Sequence, residues 1–585
     1  MASSDFQVTG KNPKALFTLK LHRGDGMCLL GMNWKVGKPP KEFVGFAIES
    51  RPPGGNIVGN DFFPLLNRLS FAGAPEGEDP SEDENAPILR STLVAPIQKF
   101  RWVHFPRNAN LDGAFTYRVT PIFMDEYDRL SQGEPQEADI ELRRETYPGQ
   151  VNVTFTRGFV SSQAFVDRYE RDGKINTLLP ATAKAGLTFK PTHPKKVEAL
   201  DWMGFEARET ILALLDDAIK EKADVRVIAY DLNEPEVVSR FQKLKKKLRI
   251  IIDDSNDHGA AGSGETQSAA LLTVSAGAAN VKRQHMKRLQ HNKMIVVNGK
   301  KTKKVVFGST NLSWRGLYVQ ANNAFVVEGK KAVDLSLAAF DNYFDNPNVF
   351  ENSASAKLTS LGLDNIDARV AFSPHSASNA LLAKIGADIG ATTSCLFYSL
   401  AFLSITPGII VDTIRKVTKK PGIFVYGISD KKVGGFDLQI PNGNIEPVFA
   451  AALAKEVPAP FNKEPAGGGG NRMHHKFVVI DFDKPTARVY LGSYNFSNPA
   501  DLKNGENLLV IHDRRIAVSY MIEALRIFDH YHFRVRHRDG NQPGKKKQPK
   551  KKLQLAKPPR TSKETAWFLE DYTDPRKIRD RKLFS

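Results

Sequence analysis

The sequence has few cysteines and no long apolar run. Among 585 residues only Cys28 and Cys395 are cysteines, and they fall in separate predicted domains, which excludes a disulfide framework or a cysteine-based zinc cluster. This shortage fits a reducing compartment. The most apolar window, residues 395–411, contains Pro407 and is shorter than the roughly 20 residues that a membrane span requires. We therefore predict a buried strand, a turn and a helix start there.

The amino terminus has no secretory signal, because no basic segment followed by an apolar one is found there. We expect a cytoplasmic protein, and peripheral attachment to a membrane stays open. The formal net charge is +18 and the isoelectric point is near 9.5, so polyanionic partners are favoured. Nucleic acid and an anionic membrane surface satisfy this charge equally well.

One motif is present twice. The first copy begins at His291 and Lys293, ends its apolar run at Asn298 and is followed by Gly308, Ser309, Thr310 and Asn311; the second begins at His474 and Lys476, ends at Asp481 and is followed by Gly492, Ser493, Tyr494 and Asn495. In a β-strand residues i and i+2 point to the same face. Each copy therefore presents an imidazole and an ammonium side by side on a buried strand.

Two such copies brought together would place two histidines on one substrate in a positively charged site. One histidine can attack phosphorus and the other can protonate the leaving oxygen, while Lys and Asn stabilise the remaining oxygens. This chemistry suits a phosphodiester. No acidic cluster at ligand spacing demands a metal, and we expect no cofactor.

These residues closely resemble the phospholipase D superfamily, whose motif is His-x-Lys-x4-Asp followed by Gly-Ser/Gly-x-Asn. The resemblance implies a phosphohistidine intermediate without metal, with His291 as nucleophile and His474 as general acid and base; the two roles could be exchanged. It also implies that Lys293, Lys476, Asn311 and Asn495 hold the phosphoryl oxygens, supported by Ser309 and Ser493.

The first copy departs from the family pattern at two positions. Asn298 stands where the second copy has Asp481, and Asn322 stands where it has Glu506. The family's acids orient the catalytic histidines, so the resemblance implies weaker tuning of the first histidine. The preferred function is a phospholipase D-type phosphodiesterase acting on phospholipid by hydrolysis or transfer. The alternatives are a nuclease of the same superfamily and a catalytically silent protein that binds a phosphate-containing ligand.

The predicted architecture is multidomain. Seven short runs of β composition indicate an all-β sandwich, immunoglobulin- or fibronectin-like, as an accessory domain over residues 1–187. A linker over 188–203 precedes a duplicated α/β catalytic domain, with a first half at 204–345, a connection at 346–370 and a second half at 371–540. Residues 541–585 form a basic tail, in which residues 565–569 are apolar enough to dock on the body. The oligomeric state stays open.

Several segments near the motifs are candidates for contact with the substrate. Residues 256–267 and the glycine run 467–470 are predicted to be mobile loops. The basic segment 281–288 contains a second His-x-Lys, His285 and Lys287, which we reject as catalytic because no apolar strand follows it. Its Lys282, Arg283, Lys287 and Arg288 make a basic approach to the site, with a solvated helix face as the alternative. The tail run 545–552 is expected to bind nucleic acid, anionic lipid or nothing specific.

Overall fold

In the computed structural model the described residues are 5–54, 61–67, 69–73, 89–106, 108–109, 111–142, 145–158, 165, 168–403, 406–429, 448–449, 473–538 and 554–585, with backbone alone at 448–449 and 530–538. The chain forms two compact units. Unit 1 comprises Met1–Arg144, Gln439–Asn444 and Arg536–Ser585, and unit 2 comprises Glu145–Leu438 and Ile445–Val535. The acidic segment 76–84, the glycine run 467–470 and the basic run 545–552 lie outside the described residues.

The sheets of unit 1 confirm the predicted all-β region. Its strands are β1 (Gln7–Thr9), β2 (Phe17–Arg23), β3 (Cys28–Trp34), β4 (Phe43–Arg51), β5 (Phe63–Pro64), β6 (Leu66–Asn67), β7 (Arg90–Ser91), β8 (Arg101–His104), β9 (Ala114–Met124), β10 (Leu130–Gln132) and β11 (Gln136–Glu141). One sheet has the order β1-β2-β3-β8, another β10-β9-β4-β5 with β11 also on β9, and β6 pairs with β7. An immunoglobulin-like identity stays a prediction.

The alternation of polar and apolar residues explains how unit 1 folds. In β11 the buried side chains of Ala138 and Ile140 alternate with exposed acids, as expected for a strand with one face on a core. They share one apolar cluster with Phe17, Phe46 and other side chains of both large sheets. Burial of this cluster holds the two sheets face to face.

Unit 2 contains two sheets with the same strand order. The first sheet is built from β12 (Val151–Phe155), β13 (Asp224–Ala229), β14 (Leu248–Ile252), β15 (Val281–Arg283), β16 (Met294–Asn298), β17 (Lys303–Gly308) and β18 (Asn323–Glu328); the second from β19 (Thr359–Ser360), β20 (Asp367–Ser373), β21 (Cys395–Leu400), β22 (Phe424–Ser429), β23 (Val448–Phe449), β24 (Lys476–Ile480), β25 (Arg488–Gly492) and β26 (Glu506–His512). Their orders are β12-β18-β17-β16-β13-β14-β15 and β19-β20-β26-β25-β24-β21-β22-β23. Apart from β19, each strand has a counterpart with the same pairing sense, which confirms the predicted duplication.

The helices of unit 2 flank these sheets. They are α1 (Lys196–Glu221), α2 (Pro235–Leu244), α3 (Gly264–Ala276), α4 (Lys330–Asp345), α5 (Leu382–Gly390), α6 (Ile409–Thr418), α7 (Asn498–Leu502) and α8 (Arg514–Arg538), which runs on into unit 1. A non-helical Phe205 interrupts α1. Among the described residues, none of the helices combines the length and the apolar character that a membrane crossing requires.

The end of the chain returns to unit 1, as predicted for residues 565–569. Helices α9 (Leu569–Thr573) and α10 (Pro575–Phe584) follow that segment, and the Trp567 ring stacks on Phe100 with centroids 5.3 Å apart. The carbonyl of Phe584 accepts a hydrogen bond from the His22 ring at 2.7 Å. A Cβ on Gly31 would lie 2.1 Å from that carbonyl oxygen, so this docking requires glycine there.

Three boundaries differ from those expected from the sequence. Strand β12, expected within the sandwich domain, pairs with β18 in unit 2 and is the counterpart of β20. Helix α1 begins at Lys196 inside the expected linker. The expected loop at 256–267 contains a 3-10 turn, Asn256–Gly259, and the start of α3, which Ser263 caps by accepting the Thr266 amide at 3.1 Å.

Candidate active site

The two motif histidines meet at the centre of unit 2. His291 and His474 precede β16 and β24, their ring centroids are 6.3 Å apart, and each is 4% exposed. The segment before each histidine pairs with the other half: the Gly505 amide donates to the Leu289 carbonyl at 2.8 Å, and the His474 amide to the Ala321 carbonyl at 3.0 Å. This reciprocal exchange fixes the distance between the histidines.

Each motif lysine lies beside its own histidine. The ammonium of Lys293 donates to the His291 carbonyl at 2.5 Å, and that of Lys476 to the His474 carbonyl at 2.8 Å. Aromatic rings cover both ammonium groups, Tyr230 at 4.4 Å and Phe402 at 5.4 Å from the ring centroid. Burial lowers the pKa of Lys293 to about 8 and that of Lys476 well below its usual range.

The residues behind the histidines come from the opposite halves. The Nδ1 atom of His291 lies 2.7 Å from Glu506 Oε2, whereas His474 Nδ1 lies 2.9 Å from Asn322 Oδ1. A carboxylate only accepts hydrogen bonds, so Nδ1 of His291 carries the hydrogen and Nε2 carries the lone pair. The expectation that Asn322 would weaken tuning of the first histidine is therefore wrong, because Asn322 contacts the second histidine.

Burial keeps both imidazoles neutral. It lowers the pKa of His291 to about 4 even though the charge of Glu506 opposes it. For His474 burial lowers the pKa well below its usual range, and the charges of Lys476 and Lys293 lower it further. Each histidine thus has a free lone pair at neutral pH, but only His291 has an anion behind it.

The Gly-Ser-x-Asn segments form sharp turns beside the histidines. Gly308 and Gly492 have φ angles of +126° and +143°, and a Cβ at either would lie within 2.3 Å of a carbonyl oxygen in the adjacent strand. Glycine is required there. The hydroxyls of Ser309 and Ser493 each accept the amide of the strand that follows, from Asn323 at 3.1 Å and Asn507 at 2.9 Å. They support the turns.

The two motif asparagines lie near these turns, Asn311 buried and Asn495 half-buried. Asn311 donates from Nδ2 to Asp231 at 2.8 Å. The Oδ1 atoms of Asn311 and Asn495 have no hydrogen-bond partner in the part of the chain that the structure describes. An amide oxygen only accepts hydrogen bonds, so these side chains can hold a phosphoryl oxygen only through the hydrogens on Nδ2.

Asn298 and Asp481 are not near the histidines. They close the far ends of β16 and β24, where Asn298 accepts from Lys303 Nζ at 2.7 Å. Asp481 accepts the amides of Ser394 and Cys395 at 2.8 and 3.0 Å and so fixes the start of β21. The expectation that these positions orient the histidines is wrong, because five residue steps along the strand separate each of them from the motif lysine by roughly 16 Å.

Sequence reasoning missed a group of residues beside His291. His258 donates from its two ring nitrogens to Asp253 at 2.8 Å and Asp231 at 3.0 Å, and the Tyr230 ring packs between His258 and His291 with centroids 4.4 and 4.6 Å away. Arg315 lies 4.0 Å from Asp231. Tyr230 and Asp231 follow β13, and Asp253 and His258 follow β14; strand ends beside a catalytic strand were the signal that could have found these four residues.

His258 also belongs to the candidate metal cluster of the described residues. One ligand atom each of Asp231, His258 and Glu265 lies within 4.8 Å of the others. Burial alone would lower the pKa of His258, but its hydrogen bonds to Asp231 and Asp253 raise it to about 10. In this arrangement both ring nitrogens of His258 contact carboxylates, which only accept hydrogen bonds, so the ring carries both hydrogens and a positive charge.

The basic segment 281–288 serves the fold. His285 bonds Asp254 at 2.7 Å, and Lys287 bonds Glu351 at 2.6 Å. Arg283 donates to the carbonyls of Asp253 and His258 at 3.1 and 2.7 Å. Arg283 therefore holds the loop that carries His258, and contact of this segment with the substrate stays a prediction.

The sequence is similar to a family model and to known proteins. The family model described as cardiolipin synthase, phospholipase D-like domain, matches residues 207–344 and 389–527. A phospholipase D of Rickettsia felis is 44% identical over 48 residues, 8% of this chain. The chain spans about a fifth of the length of the curated relatives that it matches, 22% for the Rickettsia felis protein and 22% for the phospholipase D of Rickettsia prowazekii.

Comparison with solved structures finds similarity at low sequence identity. The phosphatidylserine synthase of Haemophilus influenzae is 15% identical with a TM-score of 0.40, covering 56% of this chain and 85% of that one. NucT from Helicobacter pylori is 21% identical with a TM-score of 0.20, covering 28% of this chain and 98% of that one. With both motif copies assembled in one site and the family model matched in both halves, the chain belongs to the phospholipase D superfamily.

Proposed function

We propose that unit 2 cleaves phosphodiesters through a phosphohistidine on His291. The observation that carries this proposal is the unequal pair of buried histidines, one backed by Glu506 and the other by Asn322. Nucleophile, acid and positive charge all come from side chains of the chain, so the reaction as proposed needs no metal.

In the first step Nε2 of His291 attacks phosphorus and the bond to the leaving oxygen breaks. His474, protonated when the anionic diester binds, gives its proton to that oxygen. Lys293, Lys476, Asn311 and Asn495 hold the non-bridging oxygens. In the second step neutral His474 takes a proton from water, the water oxygen bonds to phosphorus and the P–N bond breaks. An alcohol in place of water gives transfer.

The side chains behind the two histidines support His291 as nucleophile and His474 as general acid. Phosphorylation at Nε2 places positive charge on the imidazole of His291, which the Glu506 carboxylate 2.7 Å from Nδ1 stabilises. A neutral amide behind His474 leaves its protonated form a strong acid, suited to a poor leaving group. Exchanged roles would put the anion behind the acid and weaken both functions.

Phospholipid is the proposed substrate, in keeping with the family described as cardiolipin synthase. We propose unit 1 as an immunoglobulin-like accessory module, in a cytoplasmic protein that attaches peripherally to anionic membranes. A nuclease is the second candidate, favoured by the net charge of +18 and by the partly exposed Arg315 beside the site. The silent-binding alternative rested on Asn298 and Asn322, which do not impair His291.

The test is hydrolysis, in the presence of a chelator, of phosphatidylglycerol and phosphatidylcholine vesicles and of single- and double-stranded DNA. The wild type is compared with His474→Ala and with His285→Ala, a change at an exposed histidine outside the site. Head-group release that only His474→Ala abolishes supports the lipase, and DNA cleavage with the same pattern supports the nuclease. Inactivity on every substrate, including bis(4-nitrophenyl) phosphate, would refute a phosphodiesterase.

A further inference from the structure

We infer that Asp253, His258 and Asp231 form a buried chain of hydrogen bonds that positions Asn311 for phosphoryl binding beside His291. The inference rests on the proposed phosphodiesterase activity and adds positioning residues to it. These three side chains lie outside both motif copies.

The chain of hydrogen bonds connects two catalytic segments of the first half. Asp253, which is fully buried, accepts the backbone amide of Gln290 at 2.7 Å and Nδ1 of His258 at 2.8 Å. At the other end, Nε2 of His258 lies 3.0 Å from Asp231 Oδ1, and Asp231 Oδ2 accepts Nδ2 of Asn311 at 2.8 Å. The backbone before His291 and the amide of Asn311 are thereby tied to one rigid support.

Charge explains why the support holds together. Two carboxylates on opposite sides of one imidazole attract it only when both ring nitrogens carry hydrogen. Burial opposes this state, but the two hydrogen bonds and the charges of Asp231 and Glu265 raise the pKa of His258 to about 10. Arg315 also lies 4.0 Å from Asp231 and offsets part of the charge of that carboxylate.

The consequence for Asn311 is a fixed orientation of its amide. A carboxylate accepts only, so Asp231 requires the NH2 group of Asn311 on its side. The second amide hydrogen is then left for a phosphoryl oxygen. Without Asp231 the amide can rotate and present its oxygen, which repels a phosphate.

The loop that carries His258 is held in advance of substrate binding. Arg283 donates to the carbonyls of Asp253 and His258, and Ser255 donates its amide to Asp253 at 3.0 Å. Tyr230 packs on His258 and on His291. Preorganised support of this kind lowers the cost of orienting a substrate.

The first test is kinetic and uses bis(4-nitrophenyl) phosphate. Asp231→Asn and His258→Gln should each lower kcat by about 10- to 100-fold, as loss of supporting contacts does, with KM nearly unchanged. The double variant Asp231→Asn/Asn311→Ala should have nearly the same kcat as Asn311→Ala alone. His285→Gln, which removes an exposed Asp–His pair, is the matched control and should leave kcat unchanged.

Active sites are counted by the amplitude of phosphoenzyme trapped in quenched reactions. A purely structural role would reduce that amplitude and leave kcat per active site unchanged, and this result would overturn the inference. Full additivity of Asp231→Asn with Asn311→Ala would overturn it as well.

A second readout is independent of turnover. Nitrogen NMR of ring-labelled protein at pH 8 should show His258 doubly protonated, although an ordinary histidine with a pKa near ~6.5 has lost its proton there; Asp231→Asn should remove that signal. A neutral His258 in the wild type contradicts the inference. An inactive wild type with an imidazolium at His258 refutes the proposed function and leaves the buried chain standing.

Discussion

The two halves of unit 2 share one strand order but support their histidines differently. Behind His291 lies the carboxylate of Glu506, and behind His474 lies the amide of Asn322. Each supporting side chain comes from the opposite half. The duplicated scaffold is symmetric, and one difference in the first half, Asn322 where the second half has Glu506, changes the chemistry of the second histidine. The comparison teaches that sequence symmetry alone does not assign roles in such a site.

Replacing the histidines should give the largest difference in kcat between the two halves of the site. His291→Ala removes the nucleophile, and we expect kcat to fall by about 10⁴-fold or more for every diester, as happens when a nucleophile is lost. His474→Ala removes the general acid, which is worth about 10²- to 10⁴-fold. That loss should shrink for a nitrophenol leaving group, because nitrophenolate departs without a proton. The check is to measure kcat of both variants on alkyl and on nitrophenyl diesters. If the loss of kcat in His474→Ala equals that in His291→Ala on both substrates, the assigned roles are contradicted.

Exchange of the supporting groups should have the next largest effect. Glu506→Gln leaves His291 with a neutral partner, and we expect kcat to fall by about 10- to 100-fold. Asn322→Asp places a carboxylate behind His474, which should raise the pKa of that histidine and move the acid-dependent limb of the pH profile upward. Both are measured as kcat against pH. A larger loss in Asn322→Asp than in Glu506→Gln would reverse our assignment.

Lys293 allows a pH test with a smaller expected effect on activity. Burial lowers the pKa of Lys293 to about 8, so above pH 8 this side chain loses the positive charge that holds a phosphoryl oxygen. We expect activity to decline through that pH in the wild type. Lys293→Arg keeps its charge, and any activity it retains should persist to higher pH. An unchanged alkaline limb would show that another group causes the decline.

The smallest effects on kcat should come from Asn298 and Asp481, the last positions of the two His-x-Lys-x4-Asp motifs. Asp481→Asn weakens the carboxylate contacts at the start of β21 and should lower the free energy of unfolding by about 1–3 kcal/mol while kcat per folded enzyme stays unchanged. Asn298→Asp retains an acceptor for Lys303 and should change neither quantity measurably. Denaturant unfolding together with kcat checks both variants. A large loss of kcat in folded Asp481→Asn would contradict our view of that position.

The sequence was sufficient for the parts of the fold that repeat or alternate. The duplicated motif predicted the duplicated sheet, and the runs of β composition near the start of the chain predicted the all-β region of unit 1. Strand β12 was assigned to the wrong unit because a five-residue strand has the same composition in either sheet. Its partner β18 lies more than 160 residues away, and local patterns carry no information about such pairing.

The candidate site was predictable where the residues belong to the motif and not elsewhere. His291, Lys293, His474 and Lys476 come together as expected. The exchange of Glu506 and Asn322 across the halves depends on the reciprocal pairing of Leu289 with Gly505 and of Ala321 with His474, which no spacing reveals. Asp231 and His258 were missed because single polar residues at strand ends resemble loop residues in sequence.

The most direct test of the account is to locate the phosphoryl group on the enzyme. His474→Ala is mixed with bis(4-nitrophenyl) phosphate, quenched in alkali to preserve phosphohistidine, and analysed by peptide mass spectrometry. We predict a phosphoryl adduct on His291 that accumulates because the residue that activates water is missing. An adduct on His474 in the reciprocal His291→Ala variant, with none on His291 in His474→Ala, would contradict the central claim.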